Sequence, residues 1–351
     1  MNSHLSLAVN PQFFKGVSPQ SRALGFGLRH MVRPILSTWS FLPIQITPPA
    51  LVDHLARMLP VHEGTMWRTV TLPGCRSEWL QAKGVPDIHA KNKHAILYFH
   101  GGAFLTCGLN THRRLVSRIS FAAKQPILNI GYRKMPGHPI SMAVEDGVDG
   151  FRWLLAQGYE SENITIAGDS AGGYLAFSVA RAVLDAGLNR PAGVVAISPL
   201  LDLDYKHKAS HRNAYRCQMF PLKAVERLTD LIDATDLRHG VEGQRICPVN
   251  MPLSDMPPTL IQVGSHEILM ADAELMANRL VRAGVPCDLQ VWDRQVHVFQ
   301  AAASWVPEGR RAIDEIGLFV SGLAAASSPA VKAAPRTRSV TARRKKTVGL
   351  I

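Results

Sequence analysis

The chain has 351 residues, 46% of them apolar and 19% charged, a composition that collapses around a full core and excludes a disordered chain or a small disulfide-held domain. The formal charge of +12 would suit a nucleic-acid-binding protein, but seven Lys and Arg with no Asp or Glu lie between Gly322 and Ile351, so most of the excess is a tail. Cys75, Cys107, Cys217, Cys247 and Cys287 are odd in number, scattered and without a C-x-x-C pair, which argues against a disulfide framework and a zinc knuckle and leads us to expect reduced thiols in a cytoplasmic protein.

The first residues, MNSHLSLAVNPQFF, lack a basic segment followed by an apolar one, so no secretory signal is expected. Pro34 to Val52 is the longest uncharged stretch, but Pro34, Pro43, Pro48 and Pro49 would break a spanning helix. No transmembrane segment is expected, and this region reads as a buried lid or cap element in preference to a lipid-contacting surface. Residues 1–60 carry no strand pattern.

From His94 onward short apolar runs alternate with amphipathic ones. The short runs are Ala95 to Phe99, Ile127 to Ile130, Ile164 to Gly168, Val194 to Ser198, Thr259 to Gly264 and Leu289 to Trp292. Runs of this length, apolar on both faces and rich in β-branched residues, predict strands covered by helices on either side. Helices are predicted over Val144 to Ala156, stopped by Gly158, and over Ala271 to Ala283, stopped by Gly284. The alternation predicts a mainly parallel sheet flanked by helices, an α/β fold.

Between Asp202 and Pro258 no strand-like run occurs, and Leu222 to Asp236 is helix-compatible. So long a connection predicts a helical insertion. The expected organisation is a cap segment over 1–60, a catalytic domain over 61–325 with a cap insertion over about 203–257, and a basic tail over 326–351. The Ala/Ser/Pro-rich composition of that tail predicts disorder. It reads as a solvated extension, with nucleic acid or anionic lipid as the alternative partner.

The sharpest chemical signal is Gly168-Asp169-Ser170-Ala171-Gly172-Gly173, which follows a predicted strand and enters a predicted helix. G-x-S-x-G in that context is a nucleophile elbow, with small residues flanking a serine held in a crowded turn. Ala171, at the helix start, aims its N–H and the positive end of the helix dipole at a nascent oxyanion. His100-Gly101-Gly102-Ala103-Phe104 follows another predicted strand, where two glycines let backbone N–H groups approach an acyl carbonyl.

A serine nucleophile needs a base oriented by a carboxylate, in the chain order serine, acid, histidine. His297 lies just past a predicted strand and is the candidate base; His266 is nearer a strand end but has no suitable acid after it. Glu267 follows Gly264 closely and is the candidate acid. Asp272 is the runner-up, with a capping role at the next helix as its ordinary explanation.

With these residues laid out, the chain resembles the hormone-sensitive-lipase family of α/β-hydrolases, the bacterial family IV esterases, over roughly His94 to Phe299. His100 to Phe104 is similar to the family's HGGGF, Gly131 to Gly147 to its DYRLAPEHPFPAAVEDA segment and Gly168 to Gly173 to GDSAGG. The acid and histidine segments resemble its VGxxDxLxDxA and HxF patterns. The resemblance implies an α/β-hydrolase fold with a helical cap, Ser170 as nucleophile, His297 as base and Glu267 as triad acid. The N–H groups of Gly102, Ala103 and Ala171 would form the oxyanion hole, with no metal or cofactor, a small ester as substrate and no need of nucleic acid; a homodimer stays open. Three departures stand out: Ala103 takes the place of a third glycine, Glu267 that of the usual aspartate and Gly137 that of the glutamate of PEHP.

Overall fold

The computed structural model describes residues 9–41, 49–86 and 94–327. Residues 326 and 327 apart, the tail lies outside them, as do parts of the N-terminal segment. The elements are β1 (Gln12–Phe14), α1 (Pro19–Gly27), α2 (Arg33–Phe41), α3 (Pro49–Leu55), β2 (Met66–Thr71), β3 (Arg76–Gln81), β4 (Ala95–Phe99), α4 (Leu109–Ala123), β5 (Ile127–Ile130), α5 (Ile140–Ala156), β6 (Ile164–Asp169), α6 (Ala171–Asp185), β7 (Gly193–Ile197), α7 (Tyr205–Ser210), α8 (Leu222–Arg238), β8 (Thr259–Gly264), α9 (Met270–Arg282), β9 (Cys287–Trp292) and α10 (Pro307–Ser327). They build a nine-stranded sheet in the order β1-β9-β8-β7-β6-β4-β5-β3-β2, in which only β3 is reversed.

Both faces of the sheet are covered, which is why its central strands are buried at every position and mostly apolar. Leu97, Phe99, Ile166, Ala196 and Val263 pack with residues of α5, α6 and α9. Their neighbours along the strands, Ile96, Tyr98, Ala167 and Val195, point the other way into a core shared with α4 and α10. α1 and α2 are joined by a π-helical turn, Leu28–Val32, and α2 packs against α8.

Three predicted strands differ at their ends: β6 runs one residue further, to Asp169, β7 lies one residue earlier, and β9 starts two residues earlier, at Cys287; α5 begins at Ile140, one turn earlier than predicted, with Pro139 preceding it. The expectation that residues 1–60 hold no strand is corrected by β1, which pairs in parallel with β9. Three residues show no periodicity of their own. β1 is held by long-range contacts, above all Phe14 stacked on Trp292 with ring centroids 4.0 Å apart. The hairpin β2–β3 was also outside the predicted strands. β3 is buried but carries Glu78, which Arg113 neutralises from α4 with a 3.0 Å hydrogen bond from Nε; a charged residue in the run hides a buried strand from an apolar-run criterion.

Candidate active site

β6 delivers the candidate nucleophile. The chain turns at Ser170 with φ 54° and ψ −119°, a region whose cost for a residue with a side chain is about 1–3 kcal/mol. Four backbone hydrogen bonds hold it there: Ser170 N donates to Ile197 O at 2.9 Å, and Ser170 O accepts from Leu200 N and Gly173 N at 3.0 Å and from Tyr174 N at 3.4 Å. α6 starts at the next residue, Ala171. Gly172 is obligatory in so close a turn, because a Cβ there would collide with the Phe99 carbonyl oxygen. Gly168 is crowded in the same way by the Gly172 carbonyl.

β4 is β6's direct neighbour, with Phe99 opposite Gly168, so the loop His100–Ala103 leaves the sheet beside the serine. Gly102 has φ +119°, and its carbonyl accepts from Leu105 N and Thr106 N at 3.0 and 2.9 Å. Ala103 follows with φ 56°, in the left-handed region that glycine enters more cheaply, and it lines the same cavity as Ser170. Among the described residues the N–H groups of Gly102, Ala103 and Ala171 have no hydrogen-bond acceptor within the protein. Gly137 is exposed, and a Cβ there would meet only the Lys134 carbonyl at 3.7 Å.

Asp169 ties the two loops together. Its Oδ1 accepts from Tyr98 Oη at 2.8 Å and Gly101 N at 3.1 Å, while Oδ2 faces His112 Nε2 at 3.2 Å. Burial alone would raise the Asp169 pKa, but the charge and hydrogen bond of His112, with the Tyr98 hydroxyl, hold it below the ordinary value. For His112 burial pulls downward, and Asp169 outweighs it to leave the pKa raised. His100 behaves oppositely: burial first, then repulsion from His112 and Lys134, push it down to about 3, so the ring is neutral. It stacks on Tyr132 at 4.3 Å, and Tyr132 Oη donates to the His100 carbonyl at 2.8 Å. Tyr98 and His112 were missed in the sequence. Tyr98 sits inside an apolar strand and His112 on a helix, and neither position carries a local signal.

The candidate acid and base are brought together. Glu267 Oε2 lies 2.8 Å from His297 Nδ1, while Oε1 accepts from Gly264 N at 2.7 Å and from Ser198 Oγ at 2.8 Å. The Ser198 hydroxyl accepts in turn from Val298 N at 3.2 Å. Ser198, the next residue after β7, thus braces both loops and is a third site residue that sequence reasoning missed. Phe220 sets its ring against the imidazole edge, with centroids 4.8 Å apart, and lines the Ser170 cavity. Among the described residues no hydrogen bond joins Ser170 Oγ to His297; such a bond often tightens only when substrate is seated.

Asp272 is otherwise engaged. Its carboxylate pairs with Lys208 Nζ at 2.8 Å, both side chains fully buried, and accepts from Leu201 N and Asp202 N at 2.8 and 3.0 Å. It clamps the start of the insertion to α9. His266 is half-buried and takes no part in the Glu267–His297 hydrogen bond.

The cavity above Ser170 has a volume of about 570 Å³. α2 contributes Ile35 and Trp39, α3 contributes Val52, and α8 contributes Val225 and Leu228. Almost every lining group is apolar, which suits an uncharged acyl chain. Among the described residues no cluster of His, Cys, Asp and Glu is placed to hold a metal ion, all five cysteines are free, and no helix is long and apolar enough to cross a membrane.

A family model described as the alpha/beta hydrolase fold matches residues 96–301. Esterase LipU of Mycobacterium tuberculosis is 43% identical over 292 residues, 82% of this chain and 98% of that protein. Carboxylesterase/phospholipase LipF of the same organism is 38% identical over 316 residues, 89% of this chain and 84% of LipF. Among solved structures, EstE5 superposes with a TM-score of 0.76 at 31% identity, covering 88% of this chain and all of its own. An esterase from the bacterial hormone-sensitive lipase family gives 0.75 at 30%, with the same coverage.

Two substitutions test the electrostatics of the site. The His112 pKa is raised above 6.5 and that of Asp169 lowered below 3.8, so their pairing stabilises the fold fully between those values. It is lost as pH rises through the His112 folded value or falls through that of Asp169. Urea unfolding should therefore show wild type ahead of His112→Gln by about 1–3 kcal/mol at pH 5.5, with a smaller gap at pH 8.5. Lys208→Ala leaves a buried carboxylate unpaired and should cost about 3–5 kcal/mol in the same assay.

Proposed function

This chain belongs to the α/β hydrolase fold family and is a serine ester hydrolase, and on that premise we propose that Ser170, His297 and Glu267 are its triad, acting on uncharged carboxylic esters of short to medium acyl length. Ser170 Oγ attacks the ester carbonyl while His297 Nε2 takes its proton. The N–H groups of Gly102, Ala103 and Ala171 receive the oxyanion, and the protonated imidazole returns its proton to the departing alcohol. Water, activated by the same imidazole, then cleaves the acyl-enzyme and regenerates the hydroxyl.

The observation that carries this reading is the Glu267 carboxylate, which holds His297 Nδ1 at 2.8 Å while its other oxygen is fixed by Gly264 N and Ser198 Oγ. A carboxylate so fixed keeps one tautomer of the ring, Nδ1–H, and leaves Nε2 as the basic atom. Glutamate in place of aspartate is accommodated because these two donors anchor the longer side chain. Support also comes from the strained serine at the floor of an apolar cavity and from the three N–H groups without internal acceptors.

Ser170→Ala should lower turnover of a p-nitrophenyl ester by on the order of 10⁴-fold or more. A fluorophosphonate should label wild type at Ser170 and leave the variant unlabelled. A folded wild-type protein that resists the label would instead be a binding protein on a hydrolase scaffold. Products formed in the presence of an added alcohol separate hydrolysis from acyl transfer.

A further inference from the structure

The apolar wall of the Ser170 cavity continues onto the outer surface. Ile35 and Val52 line the cavity, yet are 68% and 40% exposed, so its mouth has an apolar edge. From Val52 the exposed apolar surface runs along α3 and the following turn through Leu55 and Met58, the latter 90% exposed; Trp67 in β2 is exposed as well.

Beside this stripe lies a second cavity of about 570 Å³, lined on one side by Asp53, His54 and Arg57 and on the other by Trp67, Arg68 and Arg76 of the hairpin. The two carboxylates there are already engaged. Glu78 is held by Arg113, whose Nε donates at 3.0 Å. Asp53 accepts from Thr111 N at 2.9 Å and Asn110 Nδ2 at 2.8 Å. Arg57, Arg68 and Arg76 have no ion-pair partner among the described residues, and all three are exposed. Four arginines, Arg113 among them, face two carboxylates in this cavity, and that excess of positive charge next to an exposed apolar stripe forms an amphipathic surface, the chemistry that anionic headgroups above acyl chains complement.

Building on the ester-hydrolase reading above, we propose that this face seats the enzyme on an anionic phospholipid surface. Leu55, Met58 and Trp67 enter the acyl boundary, Arg57, Arg68 and Arg76 take headgroup phosphates, and an ester dissolved in the lipid reaches Ser170 past Ile35 and Val52. A second copy of the chain is a poorer occupant. It would bring the same cations to the contact, and Asp53 is the only acid among the first sixty residues.

The test is co-sedimentation with phosphatidylcholine vesicles, plain or doped with phosphatidylglycerol, at low and high salt. Wild type should partition to the doped vesicles alone and be released by salt. At about five-fold per arginine near an anionic surface, Arg57→Gln/Arg68→Gln should weaken partitioning by roughly thirty-fold. Met58→Ser should weaken it at low salt, where wild type is bound. Hydrolysis of p-nitrophenyl acetate in vesicle-free buffer should be unchanged in both variants, and it reads the chemistry separately. If that ester is turned over while the vesicles are ignored, bound equally with and without phosphatidylglycerol, or bound equally by the variants, the docking proposal fails and the hydrolase reading stands. If partitioning behaves as expected while the soluble ester is untouched by wild type, the docking face stands and the triad assignment fails. A dimer in sedimentation velocity that Met58→Ser dissociates would give the face to a second copy and overturn the proposal.

Discussion

A carboxylate taken out of water must have its charge and lone pairs met by the protein, and Glu267 is met from three strands at once. Gly264 N comes from the end of β8, Ser198 Oγ from just past β7 and His297 Nδ1 from the loop after β9. Because the side chain is 1% exposed, losing any one of these partners would leave buried charge less well compensated, at a cost of several kcal/mol in general terms. The requirement therefore fixes three loops relative to one another, and the imidazole orientation on which the proposed chemistry depends follows from it. Ser198 completes the brace by accepting from Val298 N.

Asp169 does the corresponding job on the nucleophile side. It joins the loop after β4 to the turn after β6 through Gly101 N, and His112 supplies the positive charge that makes its burial tolerable. The neighbouring His100 is held neutral by the same crowding. Two histidines whose rings are 5.4 Å apart thus settle into different charge states, one facing a carboxylate and one facing a carbonyl and an aromatic ring. The glycine-rich loop is set by electrostatics as much as by its glycines.

The N-terminal segment has two environments. Ile35, Trp39 and Val52 close the apolar cavity over Ser170, whereas Leu55, Met58 and Arg57 on the same N-terminal segment face outward. The uncharged stretch Pro34 to Val52 was expected to be a buried lid. Where it is described it lines the cavity, but Ile35 and Phe41 are also largely exposed, so inside and outside are not separated as in an ordinary amphipathic helix. The internal half suits an acyl chain and the external half suits the surface from which such a chain would come.

Ser170, Glu267 and His297 were legible as candidates because each follows a strand that its own apolar run announces, and strands of a parallel sheet deliver their following loops to one edge. The central strands were legible for the same reason: burial on both faces leaves a continuous apolar signature that needs no partner to be read. β1 and β3 were not. β1 is three residues long and held by Trp292, far along the chain, and β3 hides its burial behind Glu78, whose charge is met by Arg113. Nor could the sequence choose between Glu267 and Asp272, five residues apart. Only the folded chain brings Lys208 to one and His297 to the other. Local pattern marks the central strands, because continuous burial on both faces depends on near neighbours. Which charges meet depends on contacts across tens or hundreds of residues, and those exist only once the sheet order is set.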